Sequence, residues 1–158
     1  MLTLEVQTHI DASPDKVWSL IGDPTRMGDW SPECRSVTWA RGSTTPDRGA
    51  RFKGHNRNGW RRWTTTGNVV SYDPGRDIAW DVSIGMLAVA RWGYRIEPDS
   101  DGRGCTVTES FTDKRGGLVK GLGRVARGVS DVETHNRHGM EQTLANVKAA
   151  AESANTSA

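Results

Sequence analysis

Leu118 to Ala151 reads LVKGLGRVARGVSDVETHNRHGMEQTLANVKAAA. Its apolar residues Leu118, Leu122, Val125, Val129, Val132, Met140, Leu144, Val147 and Ala151 recur mostly at steps of three and four. That spacing predicts a helix with one buried stripe. Glycines at 116, 117, 121 and 123 each weaken a helix by roughly 1 kcal/mol, so the first part is predicted to be loosened or bent through Gly128. A firm helix is predicted from about Asp131. Ser130 and Glu133 have capping-box spacing at that second start, and capping is the role this spacing predicts for Glu133. A long amphipathic helix needs a surface on which to bury its stripe.

Working back toward the N-terminus, the rest of the chain supplies that surface as strands. Leu2 to Ile10 alternates Leu4, Val6, Thr8 and Ile10 against polar positions, with His9 on the solvent side. Ser13 is placed to cap a short helix that begins at Pro14 and buries Val17, Trp18 and Ile21. Asp23 and Pro24 repeat the device for a second short helix carrying Met27 and Trp30, and Ser31-Pro32 stops it. Period-two runs follow at Ser36–Arg41, Ala50–Asn56, Trp60–Tyr72, Asp77–Ile84, Leu87–Glu97 and Cys105–Asp113. Turns at Arg57-Asn58-Gly59, Asp73-Pro74-Gly75, Gly85-Met86 and Asp99–Gly102 separate the last five of these runs, and Gly67 is read as a bend. Strands in sequence joined by short turns predict a curved antiparallel meander. The expectation is one domain over residues 1–152 and a disordered tail over 153–158.

Composition narrows the function classes. A net charge of +2 on 158 residues is too small to argue for nucleic acid. Seven tryptophans supply much apolar surface at few positions. Cys34 and Cys105 stand far apart with no ligand spacing, and read as free thiols of a reducing compartment. Neither a signal-like run nor a membrane-length apolar run is found, so a cytoplasmic protein is expected. His135 and His138 are three apart but flank the buried stripe and lack further ligands, so no metal site is expected. The GxSxG, phosphate-loop and HExxH motifs are absent, and no cofactor is expected.

Ile10-Asp11-Ala12-Ser13-Pro14 with Val17-Trp18, then Asp23-Pro24 and Trp30, all after one strand, resembles the opening of the START/Bet v 1-like (SRPBCC) superfamily. The nearest branch is the bacterial one of polyketide cyclases, dehydrases and lipid transport proteins. The resemblance extends over nearly the whole chain. It implies an α+β helix-grip fold: a curved antiparallel sheet of six to seven strands around the long C-terminal helix, two short helices after strand 1, and a cavity between sheet and helix. Such a cavity is also expected physically, because a bent sheet and a straight helix cannot touch along their full length.

The inward strand faces are expected to line that cavity with Trp63, Trp80, Val82, Trp92, Tyr94, Val107, Glu109 and Phe111, and the helix with Asn136 and Met140. Glu109 is the sharpest candidate for chemistry, with Tyr94 as its partner, because a buried carboxyl is either paired or holds its proton. Asp81 and Arg91 fall on the outer strand faces. Three readings follow, in order. The first is binding of a small hydrophobic ligand such as a lipid, polyketide or aromatic compound. The second is a cofactor-independent polyketide cyclase, aromatase or dehydratase in which Glu109 takes a proton. The third is a protein- or ribosome-interaction module that uses the basic run Lys114, Arg115, Lys120, Arg124 and Arg127, with Arg57, Arg61 and Arg62 adding charge.

Overall fold

The computed structural model describes residues 1–116 and 128–153. Seven strands form one antiparallel sheet: β1 (Thr3–Ile10), β2 (Cys34–Ala40), β3 (Arg51–Asn58), β4 (Arg61–Asp73), β5 (Asp77–Ile84), β6 (Leu87–Pro98) and β7 (Cys105–Asp113). Their order is β1-β7-β6-β5-β4-β3-β2. β2 through β7 is an uninterrupted meander, and β1 joins its far edge beside β7. The chain must therefore cross from one edge of the sheet to the other between β1 and β2.

Two short helices make that crossing. α1 (Pro14–Ile21) is capped by Ser13, whose hydroxyl accepts from the Lys16 N–H, and Pro14 opens the first turn. Asp23 accepts from the Thr25 N–H and hydroxyl, at 2.8 and 2.7 Å, and starts a tight turn over Pro24–Arg26 that runs into α2 (Met27–Trp30). The Trp30 indole N–H donates to the Leu20 carbonyl at 2.8 Å and ties the two helices together.

α3 (Val132–Ser153) lies across the sheet and completes the helix-grip arrangement. Its start differs from the sequence expectation. Asp131, not Ser130, caps it, accepting from the Thr134 N–H at 3.1 Å and from the Thr134 hydroxyl, while Glu133 is exposed. These bonds hold the Asp131 carboxyl below its ordinary range. Asp131→Ala is expected to destabilise the fold by about 1 kcal/mol, read from the urea midpoint at an unchanged m value. The loosened approach expected over residues 117–127 lies outside the described residues, as does the tail from 154. Ser153, the first residue of that expected tail, is the last of α3.

The C-terminal half of α3 closes the core. Leu144, Val147 and Ala151 are buried with Ile10, Val17, Ile21, Ile96 and Cys105. The irregularity in β4 falls between Val69 and Ser71 and not at Gly67. Gly67 has another use: a Cβ there would sit about 2.1 Å from the Phe52 ring, its cross-strand partner.

Candidate functional site

Under the N-terminal half of α3 the packing opens into a cavity of about 300 Å³. Nine of the ten expected lining residues bound this space: Trp63, Trp80, Val82, Trp92, Tyr94, Glu109, Phe111, Asn136 and Met140. Val107 does not. It is fully buried in the closed core with Ile10, Val147 and Ile96. The reason lies in position along β7: Cys105, Val107, Glu109 and Phe111 share a face at about 6.8 Å intervals. The first two sit in the closed core, and the last two reach the cavity.

The aromatic rings pack in two groups along the cavity wall. Phe52 is edge-on to both Trp39 and Trp80, Trp80 packs on Tyr94, and Trp92 packs on Phe111. Phe52 and Asn56, with Gly54 between them, alternate on the inner face of β3 and border the cavity. That alternation was available in the sequence, although the expected lining did not include them. His135 and His138 also border it, and His135 Nε2 lies 3.4 Å from Glu33 Oε1. Both stand at the cavity rim, His135 half-buried and His138 exposed to solvent.

Glu109 and Tyr94 face each other across the β6–β7 ladder. The Tyr94 hydroxyl donates to Glu109 Oε1 at 2.9 Å. Glu109 is 3% exposed, and burial pushes its carboxyl up to about 8 against the pull of the Tyr94 hydrogen bond. Tyr94 is raised well above its ordinary value, first by burial and then by Glu109. Burial therefore favours the neutral form of both groups. In that neutral form the carboxyl can give a proton, whereas taking one requires the ionised form. Burial also pushes the Cys34 thiol in the cavity wall up to about 11, which keeps it from acting as a thiolate.

Among the described residues, two buried side-chain atoms have no hydrogen-bond partner: Glu109 Oε2 and Asn136 Nδ2. Both belong to residues of this cavity wall. Buried polar groups are paired in the great majority of cases, and both exceptions among the described residues stand at this one cavity.

The basic run resolves differently from the sequence expectation. Arg115 is buried, lines the cavity, and grips Asp113 with two hydrogen bonds of 2.9 Å. Lys114 bonds Asp81 at 2.8 Å, and Asp81 also holds Arg91 on the outer face of the sheet. Those two basic residues are engaged within the chain. Lys120, Arg124 and Arg127 lie outside the described residues. No helix among the described residues is long and apolar enough to cross a membrane.

A seven-stranded antiparallel sheet gripping a C-terminal helix over a cavity defines the Bet v 1-like class. The chain belongs to the polyketide cyclase/dehydrase and lipid transport family, which matches residues 1–152. No curated protein matches the chain in sequence. Among solved structures, a polyketide-cyclase-like protein from Corynebacterium glutamicum is 28% identical with a TM-score of 0.58, over 92% of this chain and 88% of that one. The major latex-like protein 151 of Panax ginseng is 15% identical at a TM-score of 0.70, over 95% and 97%. The di-domain aromatase/cyclase BexL of the BE-7585A biosynthetic pathway is 20% identical at 0.65, over 94% of this chain and 45% of BexL. The last two likenesses are of fold. Family and fold together support hydrophobic ligand binding in general terms.

Proposed function

We propose that the protein binds a small, mostly aromatic molecule that carries an acceptor oxygen, such as a ketone or quinone carbonyl. The observation that carries this reading is the pair of unpartnered groups in the indole-lined cavity. A neutral Glu109 whose Oε1 accepts from Tyr94 carries its proton on Oε2, so the carboxyl and the Asn136 amide are both donors. Their terminal torsions are soft, and a small rotation turns either N–H or O–H toward a ligand. The indoles supply apolar contact, and the donors distinguish an oxygenated ring system from a hydrocarbon of the same shape.

Tryptophan quenching with 2-acetylnaphthalene and 2-ethylnaphthalene tests both parts. The ketone is expected to bind with a Kd on the order of 10 μM, and the hydrocarbon about tenfold more weakly. Asn136→Leu is expected to erase most of that difference. Glu109→Gln keeps a donor and is expected to preserve it. Equal affinity for the two probes would remove the acceptor-oxygen part, and failure of both to bind would remove the reading altogether.

A second reading, cofactor-independent cyclisation or dehydration, is favoured by the protonated Glu109 beside Tyr94. An acid held neutral at pH 7 can give a proton to a carbonyl or a departing hydroxyl. Loss of turnover of an aromatic polyketone in Glu109→Gln, at unchanged affinity, would support it. Unchanged turnover would exclude Glu109 as the acid.

A further inference from the structure

Apart from Met1, every exposed large hydrophobic residue among those described lies at one of two hairpin tips. Trp60, 80% exposed, sits on the β3–β4 turn. Ile84, Met86 and Leu87 surround the β5–β6 turn, and Met86 is fully exposed. Because neighbouring strands are all antiparallel, β3 and β5 run in the same direction, and both turns stand at the same end of the sheet. Thr66 pairs with Ser83, so the β3–β4 tip projects beyond the other.

Charge follows the same geography. Arg57, Arg61 and Arg62 flank Trp60, and the two tips from Arg57 to Arg62 and from Ser83 to Leu87 contain no Asp or Glu. The Arg61 guanidinium stacks 4.6 Å from the Trp60 ring centroid, and Arg57 donates to the Gly59 carbonyl, which stiffens the projecting turn. Arg57, Asn58, Trp63, Ile84 and Val89 also line the cavity. The apolar tips therefore stand at the cavity mouth.

An indole, a thioether and two aliphatic side chains held out into water, with Arg61 stacked on the indole and no acid within either tip, match an anionic bilayer surface. The rings and chains suit the boundary between headgroups and acyl chains, and the guanidinium groups suit lipid phosphates. We propose that the β3–β4 and β5–β6 tips dock the cavity mouth onto an anionic lipid surface, so that a hydrophobic ligand passes between bilayer and cavity without crossing water. This rests on the cavity being a ligand site, but the contact itself is independent of which ligand is held.

Vesicle co-sedimentation tests it. Vesicles of phosphatidylcholine with about 30 mol% phosphatidylserine are expected to retain at least tenfold more protein than phosphatidylcholine alone, with most of the excess lost at 0.5 M salt. Trp60 emission should shift to the blue on binding. A Trp60→Ser/Met86→Ser/Leu87→Ser variant and an Arg61→Glu/Arg62→Glu variant should each lose at least tenfold. Trp60, Arg61, Arg62, Met86 and Leu87 do not line the cavity, so both variants should bind 2-acetylnaphthalene as the parent does. Retention of the parent by neither vesicle, or equal retention of parent and variants, would overturn the docking surface while the probe titration stands. A parent that is a dimer, dissolved by the Trp60/Met86/Leu87 changes, would overturn it too, because the tips would then serve a second copy of the chain.

Discussion

The melting temperature is expected to fall as pH rises from about 5 through about 8, and to lose most of that dependence in Glu109→Gln. Glu109 is buried and its carboxyl is raised to about 8, whereas in the unfolded chain it titrates near the ordinary glutamate value of about 4.3. Between those two values the native state holds a proton that the unfolded state has released. Stability then declines with pH, because folding must either retain that proton or bury a charge. The contribution is fully present below the unfolded value and is lost as pH climbs through the folded one. Its size is on the order of a few kcal/mol.

Other shifted groups leave that window recognisable. Asp81, Asp131 and Glu152 are lowered by their hydrogen-bond partners, so their contributions disappear on the acid side, below the ordinary carboxylate range. Exposed His9, raised by its bond to Asp99, adds a small decline in the same direction through neutral pH. Glutamine at position 109 leaves His9 untouched, so comparing the two proteins isolates the buried acid. Parallel melting curves for parent and Glu109→Gln from pH 5 to 9 would show that the carboxyl is not held protonated.

The sequence made Glu109 and Tyr94 legible because each falls on the inward beat of its strand. Their contact needed register, which the turn between β6 and β7 supplies by pairing Pro98 with Cys105. Val107 shows the limit of the same reasoning. Alternation says which face a side chain takes, but not how far along the strand the helix stops touching the sheet. Arg115 belongs to a run of basic residues, and such runs are usually solvated. Its burial depends on Asp113 receiving both arms of the guanidinium, a pairing at the strand end that no periodicity announces. The helix cap was ambiguous for a similar reason: Ser130 with Glu133 and Asp131 with Thr134 offer the same three-residue spacing. The Thr134 N–H and hydroxyl both go to Asp131.

Gly67→Val is expected to destabilise the protein by about 3 kcal/mol or more, and Phe52→Ala to offset a large part of that loss when combined with it. A Cβ at position 67 would lie 2.1 to 2.6 Å from three atoms of the Phe52 ring, closer than any real contact. The ring has little room to yield, since Trp39 and Trp80 stand edge-on to it at centroid distances of 6.2 and 6.0 Å. Overpacking of a filled site typically costs about 1–3 kcal/mol, and a wedge against a ring held by neighbouring aromatics belongs at or beyond the upper end. Phe52→Ala alone is expected to cost about 3–5 kcal/mol. In the double variant the valine occupies volume that the ring has left, so the pair should couple by roughly 2 kcal/mol in the stabilising direction. Urea denaturation of the four proteins measures that coupling, and simple additivity would mean that the ring escapes without disturbing its neighbours. Phe52 and Trp80 both line the cavity. A valine wedge that displaces the ring toward Trp80 should therefore also weaken 2-acetylnaphthalene binding. Position 67 is glycine because one strand must come close enough to let a ring from the next form the cavity wall.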